Sequence, residues 1–323
     1  MSSDAVPAEL SPSAPFVSVI LPVRNGAATL HDCLTALRNV KYPRGRHEIV
    51  VVDNDSTDGT AAIIRAHPVR AVFEERRGLS WARNRGIAAS RGEILAFTDA
   101  DCSVSRGWLT ELLEGFAGDE VDAVTGEVVA YPPRTPAEGY AARRKPLWYE
   151  WSRRTRPTPP LLFGSIAVRR AVFDRVGGFD PRFADGGSED IDYSWRFFRA
   201  GLRITHRPKA VVFHRHRTSQ GDLFRQHLRY GRGQAMLWKK YPGEIDWGWS
   251  AEMAAWRDLG AGLRTAIVAW ARFGRGGATN AHYPYFDLVR KLAQRIGFVH
   301  GVLTHPAAPR QRRIDAAAPD LPV

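Results

Sequence analysis

Cysteine is almost absent: Cys33 and Cys102 are the only two in 323 residues, without the paired spacing of a metal site. That excludes a disulfide-stapled scaffold and a zinc ribbon, and it fits a reducing compartment. Long apolar runs are missing as well. No stretch of about 18 consecutive apolar residues occurs, so no membrane-spanning helix is expected. The first 15 residues are rich in Ser, Pro and Ala, and carry Asp4 and Glu9 but neither Lys nor Arg. A secretory leader needs a basic start and an apolar run, so this stretch reads as a disordered tail. Acids are the scarcer charge: 34 Asp and Glu face 46 Lys and Arg, a formal net charge of +12. The excess admits nucleic acid, anionic lipid or a phosphorylated substrate as partner, or the plain basic surface common in arginine-rich proteins of GC-rich genomes. No internal repeat and no nucleic-acid reading module is present, so nucleic acid is not expected as a partner.

What the chain does contain is an alternation of strands and helices. Val17 to Leu21 is an apolar strand stopped by Pro22, and "NGAATLHDCLTALRNV" follows it with Leu30, Leu34 and Leu37 at helical spacing and Thr29 as N-cap. "EIVVVDNDSTDGTAAIIRA" repeats the design, with a strand at Ile49–Val52 and a helix starting near Ser56 or Thr57. "AVFEE" is a third strand, "GLSWARNRGIAAS" a helix, and Ile94 to Phe97 a fourth strand, with a helix marked by Trp108, Leu109, Leu112, Leu113 and Phe116 after it. This order implies an α/β fold with a mostly parallel sheet and helices on both faces. Ligands bind such sheets at the carboxyl ends of the strands, where Arg24, Asn25, Asp53, Asn54, Asp99 and Asp101 lie. Residues 132–162, rich in Pro, Arg and aromatics, read as an excursion over that face with one short helix near Trp148. From about Thr218 the pattern is helical and basic, with one stripe of Leu223, Phe224, Leu228 and Tyr230 and another of Met253, Leu259, Leu263, Ile267, Trp270 and Phe273.

Asp99 and Asp101 flank Ala100 at the end of the fourth strand. Two carboxylates converging there repel unless a cation sits between them, and a hard divalent ion, Mg²⁺ or Mn²⁺, suits oxygen ligands. The alternative is an Asx-type turn in which they cap backbone N–H groups. A second acidic cluster, "GGSEDIDYSWRFFRAG", puts Ser188 at a helix N-cap and Glu189 and Asp190 in its first turn. The helix dipole keeps acids there ionised, as a general base must be; the same dipole also explains acids there with no chemistry at all. Ile191, Trp195 and Phe198 hold this helix on the core. His214, just after a buried strand, is a candidate third metal ligand, with His216 as its substitute.

"VSVILPVRNGAATLHDCLTAL", "EIVVVDNDSTDGT", "GLSWARNRGI", "GEILAFTDADC" and "GGFDPRF" with "GGSEDIDYSWRFFRAGLRI", in this order, resemble glycosyltransferase family 2 over about Val17 to Arg217. The resemblance implies a GT-A fold, a nucleotide-diphosphate sugar (UDP-, GDP- or dTDP-linked), a divalent metal and inversion at the anomeric carbon. It puts Pro22, Arg24 and Asn25 against the nucleotide, Asp53 and Asn54 on base and ribose, and Arg83 within reach of the nucleotide. Asn54 stands where a second Asp is frequent in the family. Asp99, Ala100 and Asp101 match the D-x-D motif, with Asp101 the firmer metal ligand and His214 matching a metal-binding His. Asp190 matches the catalytic base, with Glu189 beside it. Gly164 and Ser165 fall near the donor sugar or serve a tight turn, and Trp195 is counted on the substrate side. The Gln-x-x-Arg-Trp motif of processive members is absent, so transfer of a single sugar is expected.

The implied layout is a tail at 1–15, a catalytic domain at 16–217, helices at 218–304 and a tail at 305–323. The acceptor is a hydroxyl of a lipid-linked sugar, a polysaccharide, a peptide or a metabolite. A catalytically inactive nucleotide-sugar binder and a basic nucleic-acid- or membrane-binding protein are the rival readings. "FDLVRKLAQRIGFVHGVL" is amphipathic and suits peripheral contact with an anionic membrane, or equally a packed terminal helix. The location expected is cytoplasmic, at most against the inner face of the membrane.

Overall fold

A computed structural model describes residues 14–118, 120–144, 161–184, 187–242, 249–273 and 282–305. The N-terminal tail through residue 13, the tail from 306 and the helix expected near Trp148 lie outside these residues. Eight strands form one sheet: β1 (Val17–Val23), β2 (His47–Asp53), β3 (Arg70–Phe73), β4 (Ile94–Thr98), β5 (Cys102–Val104), β6 (Ala123–Ala130), β7 (Ser165–Arg169) and β8 (Ile204–His214). Their order is β3-β2-β1-β4-β7-β6-β8-β5. The first four are mutually parallel and β6 is parallel to β8, while β7 and β5 run against their neighbours. Six strands therefore finish at one edge, and the two reversed strands start there. Thr98 pairs with Ser165 and Cys102 with His214. This places every loop carrying a candidate residue along one rim.

Side-chain alternation distributes β1 between two cores. Val19, Leu21 and Val23 join Leu30, Leu34 and Leu37 of α1 (Leu30–Arg38) and Trp108, Leu109 and Leu112 of α4 (Trp108–Glu114). Ile20 turns to the opposite face, with Phe97, Phe163, Phe173, Phe179 and Tyr193. On that second face lie α3 (Leu79–Ala89), α6 (Arg170–Val176) and α7 (Glu189–Arg199). Gly86 lets α3 approach the sheet, since a Cβ there would meet Ile20 Cγ2 at 2.5 Å.

Three local expectations need correction. Pro22 does not stop β1, which runs on to Val23 in register with Asp53. The Val23 carbonyl accepts the Asn54 N–H on the β2 side, so Pro22 faces the β4 side. Pairing with β4 has already ended at Ile20–Phe97, so the missing N–H deprives no ladder bond. The second helix, α2 (Thr60–Arg65), starts later than Ser56 or Thr57. Asp53 holds the Ser56 N–H at 3.1 Å, and Asp58 holds the Thr60 N–H at 3.0 Å, so the intervening residues form a loop. Thr29 and Ser188 do stand at N-cap positions, but neither side chain makes a capping bond.

Beyond β6, α5 (Pro136–Arg144) begins the expected excursion. Three long helices close the chain: α8 (Gln220–Lys240), α9 (Trp249–Phe273) and α10 (His282–Thr304). Among the described residues α9 packs chiefly on α10, and Met253, Leu263 and Ile267 of its expected apolar stripe are exposed.

Candidate functional site

The β4–β5 turn carries the D-x-D residues. The Asp99 carbonyl accepts the Cys102 N–H at 3.0 Å, and the Asp101 carbonyl accepts the Arg215 N–H at 2.9 Å, tying the turn to the end of β8. Among the described residues, neither carboxylate accepts a backbone N–H. Asp99 Oδ1 lies 3.6 Å from the Arg83 guanidinium, and a Cβ on Gly164 would lie 3.4 Å from its Oδ2. Asp101 faces the other way, with Oδ1 3.5 Å from His214 Nε2 and Oδ2 3.6 Å from Arg217. Ala100 packs on the core and lies against Gly26 of the β1–α1 loop.

Arg83 is the pivot. It projects from α3, is 3% exposed, and donates to Glu189 Oε1 at 2.8 Å while facing Asp99. Its guanidinium also lies over the rings of Phe163 and Phe179. The D-x-D turn and the start of α7 are thus brought together through one buried cation. Burial pushes the Asp99 carboxyl up; Arg83 opposes this, and the charges of Asp101 and Asp190 reinforce it. Burial likewise raises Glu189, against Arg83 and with Asp190 and Asp99. Asp190 is half-buried; its Oδ1 accepts the Ile191 N–H at 2.8 Å, and its carbonyl accepts the Ser194 hydroxyl.

Asp101, His214 and Cys102 offer oxygen, nitrogen and sulfur atoms within 4.8 Å of one another. His214 Nδ1 is buried without a hydrogen-bond partner. Burial, and after it the charges of Asp101 and Asp99, push the Cys102 thiol well up. The carboxylate and the imidazole are the donors that suit Mn²⁺, and the carboxylate suits Mg²⁺. Asp99, turned to Arg83, is outside this group of three. His216 stacks edge-on against His214, their ring centroids 4.8 Å apart.

The remaining candidates divide. Arg24 and Asn25 are exposed at the rim, next to Pro22, and Asn25 Oδ1 accepts the Thr57 N–H at 2.8 Å, joining the β1 and β2 loops. Asp53 stands beside them, half-buried. Asn54 points away: its amide donates to the Glu74 and Arg76 carbonyls and accepts the Gly78 N–H, so it braces the loop before α3. Ser165 is wholly buried; its hydroxyl accepts the Trp108 indole N–H at 3.0 Å, which leaves Gly164 as the member of that pair at the rim. Trp195 packs on Tyr241, ring centroids 5.0 Å apart, in the cluster between α7 and α8.

Two residues escaped the sequence reading. Cys102 enters the group through β5, a strand of three residues, too short to show a period. Arg217 belongs to the "HRHR" run, where the histidines drew attention and the arginine signalled only charge.

A model of the family described as "Glycosyl transferase family 2" matches residues 18–177. Glycosyltransferase AglE of Haloferax volcanii is 35% identical over 238 residues, covering 71% of this chain and 76% of that protein. A pre-mycofactocin glycosyltransferase of Mycobacterium tuberculosis is 32% identical over 242 residues, 72% of this chain; the chain spans about half of that relative, 49%. Among solved structures, the mannosyltransferase PcManGT from Pyrobaculum calidifontis, in complex with GDP-Man and Mn²⁺, superposes with a TM-score of 0.58. The match covers 90% of this chain and 88% of that one at 23% identity, a likeness of fold.

Proposed function

Since the chain belongs to glycosyl transferase family 2, and is a glycosyltransferase by that membership, we propose that it moves one sugar from a nucleotide-diphosphate sugar to an acceptor hydroxyl, inverting the anomeric carbon. The observation that carries the finer reading is the buried Arg83, in contact with both Asp99 and Glu189. Separate caps and turns would not require two acidic clusters, distant in sequence, to share one cation.

In this reading Asp101 and His214 would hold a divalent ion, Mg²⁺ or Mn²⁺, with Asp99 on the Arg83 side of the same turn. The approach of His214 Nε2 to an Asp101 carboxylate that caps no backbone N–H supports that assignment. When bound, the ion supplies positive charge against the leaving diphosphate. Arg24, Asn25 and Asp53 line the nucleotide side, and Gly164 leaves room beside Asp99 for the sugar. Asp190 is the general base, and Glu189, held by Arg83, positions it. The acceptor oxygen bonds to the anomeric carbon from the face opposite the diphosphate, and its proton passes to the Asp190 carboxylate. The bond from that carbon to the phosphate oxygen breaks, and its electron pair leaves with the diphosphate.

Residues 16–217 are taken as the catalytic domain, with 218–304 as the helical region beside it. The GDP-Man and Mn²⁺ of the Pyrobaculum neighbour support the general class of donor and ion. A thermal-shift screen of UDP-, GDP- and dTDP-sugars with each ion identifies the pair that binds. Asp190→Asn is then expected to lower transfer at least about 10²-fold while leaving the donor-induced shift in place. Transfer at the native rate would remove Asp190 from the mechanism.

A further inference from the structure

Apolar exposure is concentrated in the last two helices. Among the described residues, ten of the thirteen large apolar side chains that stand exposed belong to α9 and α10. On α10 they are Tyr285, Leu292, Ile296, Val299 and Leu303, recurring every three, four or seven residues on one face. The other sides of α10 are occupied. Gly297 and Gly231 let it press against α8, and Leu288 and Lys291 meet Gly262 of α9. On α9, Met253, Trp256, Leu263 and Ile267 form a second stripe on the side away from Gly262 and Asp258, where α10 packs. The hairpin thus presents two apolar stripes to water, one on each helix.

Among the described side chains, the charges beside the stripes that no opposite charge engages have one sign. Asp258 and Asp287, the acids of these two helices whose side chains are described, are both engaged by Lys291, at 2.9 and 3.3 Å. Arg257 and Arg264 are exposed on the flank of the α9 stripe, and no acid among the described residues pairs with them. No helix of the described residues is long and apolar enough to cross a membrane. We propose that the α9–α10 face lies flat on the surface of an anionic lipid bilayer, with the stripes in the acyl boundary and Arg257 and Arg264 at the headgroups. A second copy is a poorer occupant, because two-fold pairing of this face would oppose the same arginines in a chain of net charge +12. The proposal stands apart from the transfer reading, since binding is read without donor or acceptor.

The test floats the full chain with phosphatidylcholine vesicles, with and without phosphatidylglycerol, at low and high salt. Binding is expected to the anionic vesicles at low salt and to weaken as salt rises. Leu263→Glu with Ile267→Glu should lower the bound fraction about tenfold or more, and Leu303→Glu should lower it by a similar factor. Leu303 is 79% exposed, so that variant separates docking from folding. Arg257→Gln with Arg264→Gln should remove the preference for anionic lipid. No flotation at low salt, or stripe variants that float like the native chain, would overturn the proposal. So would a non-floating dimer that Leu303→Glu dissociates.

Discussion

At the scale of the residue, Arg83 decides how the site holds together. A guanidinium spans two carboxylates because it carries several donors in a rigid plane, which an ammonium does not. Arg83→Lys should therefore keep the charge and lose the bridge, lowering transfer by about tenfold or more. Arg83→Met should leave the buried Glu189 without its cation, next to a half-buried Asp99, at about 3–5 kcal/mol of stability. Adding Glu189→Gln should return part of that stability without returning activity. Urea melts and initial rates on the same preparations separate the two effects, and full activity in Arg83→Met would end the bridging role. Part of this was legible beforehand. The acid pairs show themselves because each follows an apolar strand or opens a helix, and local pattern reports that much. Which way each side chain turns depends on partners far along the chain. Asn54 is claimed by carbonyls 20 and 22 residues away, and Ser165 by an indole 57 residues away.

At the scale of the element, α7 is fixed from below. Asp192, wholly buried two residues after Asp190, accepts from Lys240 at 2.5 Å and from Tyr241 at 2.6 Å, and pairs with Arg196 at 3.0 Å. Lys240 also reaches Asp180 at 2.7 Å, so the end of α8 is fastened to the helix that presents Glu189 and Asp190. Lys240→Met should cost about 1–3 kcal/mol, because the wholly buried Asp192 loses one charged partner and is left to Arg196 and Tyr241. Lys240→Met with Asp192→Asn should recover part of the loss. Equal denaturant midpoints for Lys240→Met and the native chain would show the network to be idle. Helices and strands were mostly legible from period and apolar runs, as for Leu30, Leu34 and Leu37 or Ile94 to Phe97. Their ends were not, since Pro22 is tolerated by a neighbour that has already departed, and α2 is delayed by Asp53 and Asp58.

At the scale of the whole molecule, the parallel half of the sheet follows from alternating strands and helices, but β7 and β5 do not. Both run in reverse, and β7 is inserted between β4 and β6. That arrangement is set by pairing across long separations, which no local period reports. The long helices likewise enclose groups that local pattern leaves ambiguous. His227 on α8 is held between elements: Arg290 and Asp287 of α10 and Arg144 of α5 act on it, and the Tyr230 ring lies 5.4 Å away. Burial, and after it the charges of Arg290 and Arg144, lower its pKa to about 3 from an ordinary 6.5. The native state thus keeps this imidazole neutral where the unfolded chain would protonate it. Above the unfolded value the effect vanishes; as pH falls below it, the unfolded state gains protons first and native stability declines, until the folded value is passed. Between pH 7 and pH 5 this one group should remove up to about 2 kcal/mol. His227→Gln should flatten that part of the stability curve by the same amount, measured as the difference in denaturation free energy at the two pH values. Parallel curves for the variant and the native chain would mean that His227 is protonated in the fold as readily as outside it, and that the α5–α8–α10 packing is more open to water than its burial indicates.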